Sequence, residues 1–191
     1  MGRDSGFIAA NAAIAMPEVN FVLVPEMNFD LAGPKGFLEV LKQRLQLRHH
    51  AVVVVAEGAG QHLFNTAENI KDASGNIIHQ DIGTFLKQKI NEYLNKENIE
   101  FTLRYIDPSY TIRSAPATAN DSMFCSLLAQ NAVHGAMAGK TNFVTGTWHN
   151  QFIYLPIPIA IEKRKKIDIE SSEWWHVLEA TGQPVSMTNT N

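Results

Sequence analysis

A single cysteine, Cys125, stands among 191 residues. It excludes an internal disulfide framework and any CxxC zinc site, and it points to a reducing compartment. No apolar stretch approaches the ~18 residues that would span a bilayer. The opening Met1-Gly2-Arg3-Asp4-Ser5-Gly6 has no charged stretch followed by an apolar one, so no signal peptide is expected. Sixteen Lys and Arg face nineteen Asp and Glu, for a net charge of −3. A nucleic-acid binder carries a basic excess, and none is present. The seven histidines form no HExxH or HxH pair, so no metal site is expected. What is present is 45% apolar residues in a chain able to bury roughly 70% of its unfolded surface. Composition leaves a cytosolic enzyme or binding domain.

Apolar periods of helix and strand alternate along the chain. Ser5–Met16 predicts a helix of small residues, and Phe21–Val24, closed by Pro25-Glu26, a buried strand. Gly36–Leu47 predicts an amphipathic helix that turns Phe37, Val40, Leu41, Leu45 and Leu47 inward. Ala51–Ala56 is a β-branched strand. Gly58–Gln80 reads as a loop insertion with a turn at Asp72-Ala73-Ser74-Gly75-Asn76. A helix over Asp81–Leu94 and a strand over Phe101–Ile106 follow. Asn120 or Asp121 caps a long helix running to about Ala138. Thr141–Thr147 and Gln151–Leu155 form a strand pair joined near His149-Asn150, and one more helix covers Glu173–Ala180. This alternation implies an α/β fold with βαβ units and a parallel sheet covered on both faces.

In such sheets ligands sit beyond the carboxyl ends of the strands. Glu57 follows its strand directly and enters Gly58-Ala59-Gly60-Gln61. A carboxylate there can accept hydrogen bonds from ligand hydroxyls, although a solvated loop glutamate gives the same pattern. The second place is Arg104-Tyr105-Ile106-Asp107-Pro108-Ser109-Tyr110-Thr111-Ile112-Arg113. Guanidinium forks match phosphate oxygens, while two surface ion pairs beside a rim tyrosine would look alike. The third is Met1–Gly6, which opens a helix whose N–H groups favour anions. His134 reads as a packing or subunit contact, Lys163-Arg164-Lys165-Lys166 as a solvated edge, and Trp174-Trp175 as core filling.

Taken together, Met1–Ala10, Ala56-Glu57-Gly58-Ala59-Gly60-Gln61, Asp72–Asn76, Tyr105–Arg113 and Ala132–Gly139 resemble 6-phosphofructokinase. The tracts keep the family's order up to about Pro184. Their versions are most similar to the ATP-dependent branch of plants and some protists. The resemblance implies a three-layer Rossmann-like domain with a mostly parallel sheet, incomplete at its N-terminus. It implies that Met1, Gly2 and Arg3 bind fructose 6-phosphate, that Glu57 holds sugar hydroxyls, and that Tyr110 and Arg113 hold the phosphate. Bacterial ATP-dependent members have histidine at the Tyr110 position. Arg104 matches an arginine that in those members reaches the phosphate from a neighbouring subunit.

The family's GGDGT-type donor loop and TIDND-type segment, which supply the base and the magnesium ligand, have no counterpart here. The resemblance therefore implies no catalytic residue in this chain. Mg2+ and ATP, or diphosphate, would be bound mainly by a missing N-terminal half, and the chain alone would not turn over. It further implies residues 1–156 as the fructose 6-phosphate-binding domain and 157–191 as an extension and tail. A cytoplasmic homo-oligomer, dimer or tetramer, with no nucleic acid and no membrane, completes the expectation. A non-catalytic sugar-phosphate sensor or regulatory subunit and a structural oligomerisation domain are the alternatives. The latter fits poorly with Arg3, Glu57, Tyr110 and Arg113 together at strand ends.

Overall fold

A computed structural model describes residues 4–64, 73 and 78–190. Met1, Gly2 and Arg3, and the turn at Asp72–Asn76 apart from Ala73, lie outside the described residues. The chain forms two compact units, Met1–Ile106 with Lys166–Asn191, and Asp107–Lys165. This division differs from the expected 1–156 and 157–191. Ile167, Trp174, Val177, Leu178 and Met187 are buried in the cores of the first unit, so the tail is part of it.

The first unit is a βαβ arrangement. Strand β1 (Phe21–Leu23) pairs in parallel with β2 (Val53–Val55), Phe21 opposite Val53 and Leu23 opposite Val55. Helix α2 (Phe37–Arg48) makes the crossover. The strand's alternation divides β1 between two cores. Phe21 and Leu23 enter a cluster with Phe37, Leu38 and Leu41 of α2 and with Ile82, Leu86, Ile90 and Leu94 of α3 (Ile82–Lys96). Val22 and Val24 enter a second cluster with Ala9, Ala10 and Ala13 of α1 (Phe7–Ala15). The same cluster takes in Trp174, Val177 and Leu178 from the C-terminal helix, Ser172–Thr181. Helices thus cover both faces of a parallel sheet, the three-layer α/β fold expected. The far edge of β1 is closed by a side chain. The Val22 N–H donates to Gln183 Oε1 at 2.7 Å, and Gln183 Nε2 donates back to the Val22 carbonyl at 3.5 Å.

Two expectations need correction here. Leu47 is 74% exposed, because the inward stripe of α2 runs through Phe37, Leu38, Leu41 and Leu45, and position 47 falls off it. Phe101–Ile106 forms no regular element and joins no ladder among the described residues. Its alternate side chains Phe101 and Leu103 pack on the α2–α3 core, and both line, with Val53, a groove of about 420 Å³. Side-chain packing, rather than backbone pairing, holds this segment.

The second unit contains α4 (Ser109–Ser114), α5 (Ala119–Met137), a hairpin of β3 (Phe143–Trp148) and β4 (Gln151–Pro156), and α6 (Ile157–Ile161). The C-terminal helix of the first unit is α7. His149 and Asn150, at φ 48° and 61°, make the two-residue turn that suits hairpin twist. Thr118, not Asn120 or Asp121, caps α5: its Oγ1 accepts from the Asp121 N–H at 3.2 Å and donates to Asp121 Oδ2 at 2.8 Å. Gly135 is the buried residue of α5, seated against the rings of Phe143 and Tyr154. His134 is exposed, so it is no packing residue within this unit.

Candidate functional site

Because β1 and β2 are parallel, both release their chain at one edge of the first unit. Past β1 comes Val24-Pro25-Glu26, and past β2 comes Ala56-Glu57. Glu57 is exposed, while Gly58, Ala59 and Gly60 behind it are buried. The turn is built by the Ala56 N–H on the Leu23 carbonyl and the Ala59 N–H on the Ala56 carbonyl, both at 2.9 Å. Gly60 then adopts φ +63°, where a side chain would be strained and would meet Ile82. Gln61 pins the turn from the far side. Its amide donates to the Glu57 carbonyl at 3.4 Å and to the Gln80 carbonyl at 3.1 Å, and its Oε1 accepts from the Gln80 N–H at 3.0 Å.

The start of α1 lies at this same edge. The Gly6 N–H donates to both oxygens of Glu26, at 3.0 and 3.1 Å, and the Ile167 N–H donates to Glu26 Oε1 at 3.0 Å. His79, at the returning end of the insertion, donates from Nε2 to Asp4 Oδ1 at 2.6 Å. The ring of Tyr105, the neighbour of Arg104, lies over Gly83 in the first turn of α3, and Ile82 of that turn meets Gly60. The start of α1 and Glu57 therefore share the carboxyl edge of the sheet, and the residue after Arg104 packs on the first turn of α3.

Tyr110 and Arg113 belong to the second unit. They stand one turn apart on α4, with the guanidinium carbon 5.9 Å from the centre of the Tyr110 ring. Tyr110 is 80% exposed. The helix forms here because Asp107 Oδ1 accepts from the Ser109 N–H at 2.9 Å and Pro108 precedes its first turn. Sequence periodicity missed α4, since six residues carry too little pattern.

The strongly perturbed ionisable groups lie elsewhere, between α2 and α3. Lys42 and then Tyr93 (2.6 Å from the Tyr93 hydroxyl) hydrogen-bond the Glu39 carboxyl and hold it at about 2, well below its ordinary 4.5. Glu39, then Glu97, raise Lys42 above its usual range. Burial, then Glu39, pushes the Tyr93 hydroxyl up. This cluster ties two helices together. Among the described residues no group of His, Cys, Asp and Glu is arranged to hold a metal ion.

Sequence reasoning named Glu57, Arg104, Tyr110 and Arg113 but missed Glu26, Gln61 and His79. The signal for Glu26 was available: a Pro-Glu pair closing a buried strand at the sheet's carboxyl edge. Gln61 and His79 act across the insertion, which no local pattern reveals.

Residues 1–136 match the phosphofructokinase family model. The chain belongs to the phosphofructokinase family. It is 51% identical to an ATP-dependent 6-phosphofructokinase of Borreliella burgdorferi, over 99% of this chain and 44% of that protein. It is 43% identical to the chloroplastic ATP-dependent 6-phosphofructokinase 5 of Arabidopsis thaliana, over 96% of this chain and 34% of the relative. An ATP-dependent 6-phosphofructokinase of Trypanosoma brucei brucei is 41% identical, over 95% and 37%. The chain thus spans less than half the length of these phosphofructokinases. The matched region contains the strand-end edge, α4 and most of α5.

Proposed function

We propose that this chain is the sugar-phosphate-binding part of an ATP-dependent 6-phosphofructokinase, whose whole phosphorylates fructose 6-phosphate to fructose 1,6-bisphosphate in glycolysis. The observation that carries the reading is the convergence of the α1 start and Glu57 on one sheet edge, in a chain of this family. Glu57 accepts hydrogen bonds from sugar hydroxyls. Arg113 and Arg104 supply guanidinium forks to the 6-phosphate, Tyr110 donates its hydroxyl, and Met1, Gly2 and Arg3 complete the grip on the sugar. None of these groups moves a proton in the transfer. Their work is orientation and charge neutralisation, which is most of what phosphoryl transfer asks of a protein.

ATP and Mg2+ would be held by sequence that this chain does not contain. The relatives' names favour ATP over diphosphate as donor. A cytoplasmic homo-oligomer, dimer or tetramer, fits an enzyme of this class. No helix among the described residues is long and apolar enough to cross a membrane. The test is a coupled assay of the full-length protein, measuring fructose 1,6-bisphosphate with ATP and, separately, with pyrophosphate. A higher kcat/KM with ATP is expected. A higher value with pyrophosphate would overturn the donor assignment, and no product with either donor would overturn the activity.

A further inference from the structure

We propose that Glu26 and His79 are positioning residues: they fasten Asp4–Gly6, the start of α1, at the sheet edge where the sugar-phosphate reading places the substrate. The inference rests on the sugar-phosphate reading above and adds two residues that the family resemblance does not name. Glu26 is half-buried beyond β1, and its carboxylate accepts from two backbone donors in distant parts of the chain, Gly6 and Ile167. A carboxylate at a helix start answers the positive end of the helix dipole. The protein has therefore supplied its own anion at the start of α1, and the substrate's phosphate is not needed there. Instead the carboxylate fixes where α1 begins. Gly6 makes the seat close-fitting, since a Cβ at that position would overlap Val24 and crowd Glu26.

His79 supplies the second strap. Its Nε2–H donates to Asp4 Oδ1 at 2.6 Å, with only 12% of the His79 side chain and 30% of the Asp4 side chain exposed. The two partners are 75 positions apart, so the bond also draws the returning end of the insertion onto the α1 start. Asp4 held by its side chain and Gly6 held by its N–H leave Ser5 alone between two fixed points. A binding edge is only as well placed as the residues that support it.

The experiment is an ¹H–¹⁵N NMR titration of the 191-residue chain with fructose 6-phosphate, for wild type, H79A, H79Q, E26A, E26Q and the exposed control H176A. Glutamine places an N–H donor close to the histidine Nε2, so H79Q is the conservative rescue. Removing one such hydrogen bond should weaken binding roughly three- to tenfold in H79A. E26A should weaken it at least as much, while H79Q and H176A stay near wild type. The amide signals of Asp4–Ala9 should shift in H79A and E26A before any ligand is added. Wild-type affinity in both H79A and E26A would overturn the positioning role and leave the substrate reading standing. Equal losses in H79A and H79Q would also overturn it. Absence of binding by the wild-type chain would overturn the substrate reading, and this inference with it. If E26A does not fold, E26Q and the two His79 variants decide.

Discussion

Arg113 and Lys163 are both exposed cations of the second unit, but only Arg113 stands with Tyr110 on α4. A charge-assisted hydrogen bond to the substrate phosphate contributes about 1.5–3 kcal/mol. R113A in the full-length protein should therefore weaken apparent fructose 6-phosphate affinity roughly tenfold to a hundredfold. Lys163 lies in a basic run far along the chain from the strand-end motifs, so K163A should leave that affinity unchanged. Steady-state KM for the two variants checks this, and equal effects would refute the assignment. Glu39 gives a residue-level prediction about acid stability. Its folded value of about 2 lies below the ordinary 4.5, so its pairing stabilises fully above about pH 4.5 and is lost as pH falls toward 2. Because Glu39 and Lys42 are partly solvated, the effect is modest. Urea midpoints of wild type and E39Q should converge between pH 4.5 and 2, and a constant gap would contradict the pairing.

Among the elements, α5 and the hairpin offer a direct test of packing. Gly135 meets the Phe143 and Tyr154 rings, whereas the space around Gly146 in β3 is open. Alanine in a helix gains about 1 kcal/mol over glycine, but overlap with two rings costs about 1–3 kcal/mol. The overlap wins, so G135A should lower Tm and G146A should not, as differential scanning calorimetry would show. The same elements show what sequence could reveal. Alternating apolar residues with His149-Asn150 between them announced the hairpin, because a two-residue turn and period-2 pattern have few other solutions. The burial of Phe21–Val24 on both faces was also legible, since four consecutive apolar residues must meet apolar partners on either side. The failure at Phe101–Ile106 has a physical cause: alternation specifies an extended backbone, not a ladder partner. At the site, Glu57 was legible from its position after a strand. Glu26 was legible in place, as the Pro-Glu pair closing a buried strand, but not in its partners, and His79 was not legible at all, since its partner is 75 positions away.

Considered whole, the molecule is uneven. Both apolar clusters lie in the first unit, while among the described residues of the second only Gly135 is buried. That unit exposes Met123, Phe124, Leu127, Val133, Met137 and Trp148. Exposed apolar patches of several hundred Å² mark interaction surfaces, so the isolated chain should self-associate. A monodisperse monomer by light scattering at tens of micromolar would count against it. The chain should also give no fructose 1,6-bisphosphate above buffer with ATP or pyrophosphate and Mg2+ in a coupled assay, since its sequence holds neither donor loop nor catalytic aspartate pair.

The central claim, that this chain holds the sugar phosphate and not the nucleotide, is tested most directly by isothermal titration calorimetry of the 191-residue chain. Fructose 6-phosphate should give a saturable heat that is lost in R113A, and Mg·ATP should give none. Saturable binding of Mg·ATP with no response to fructose 6-phosphate would contradict the account.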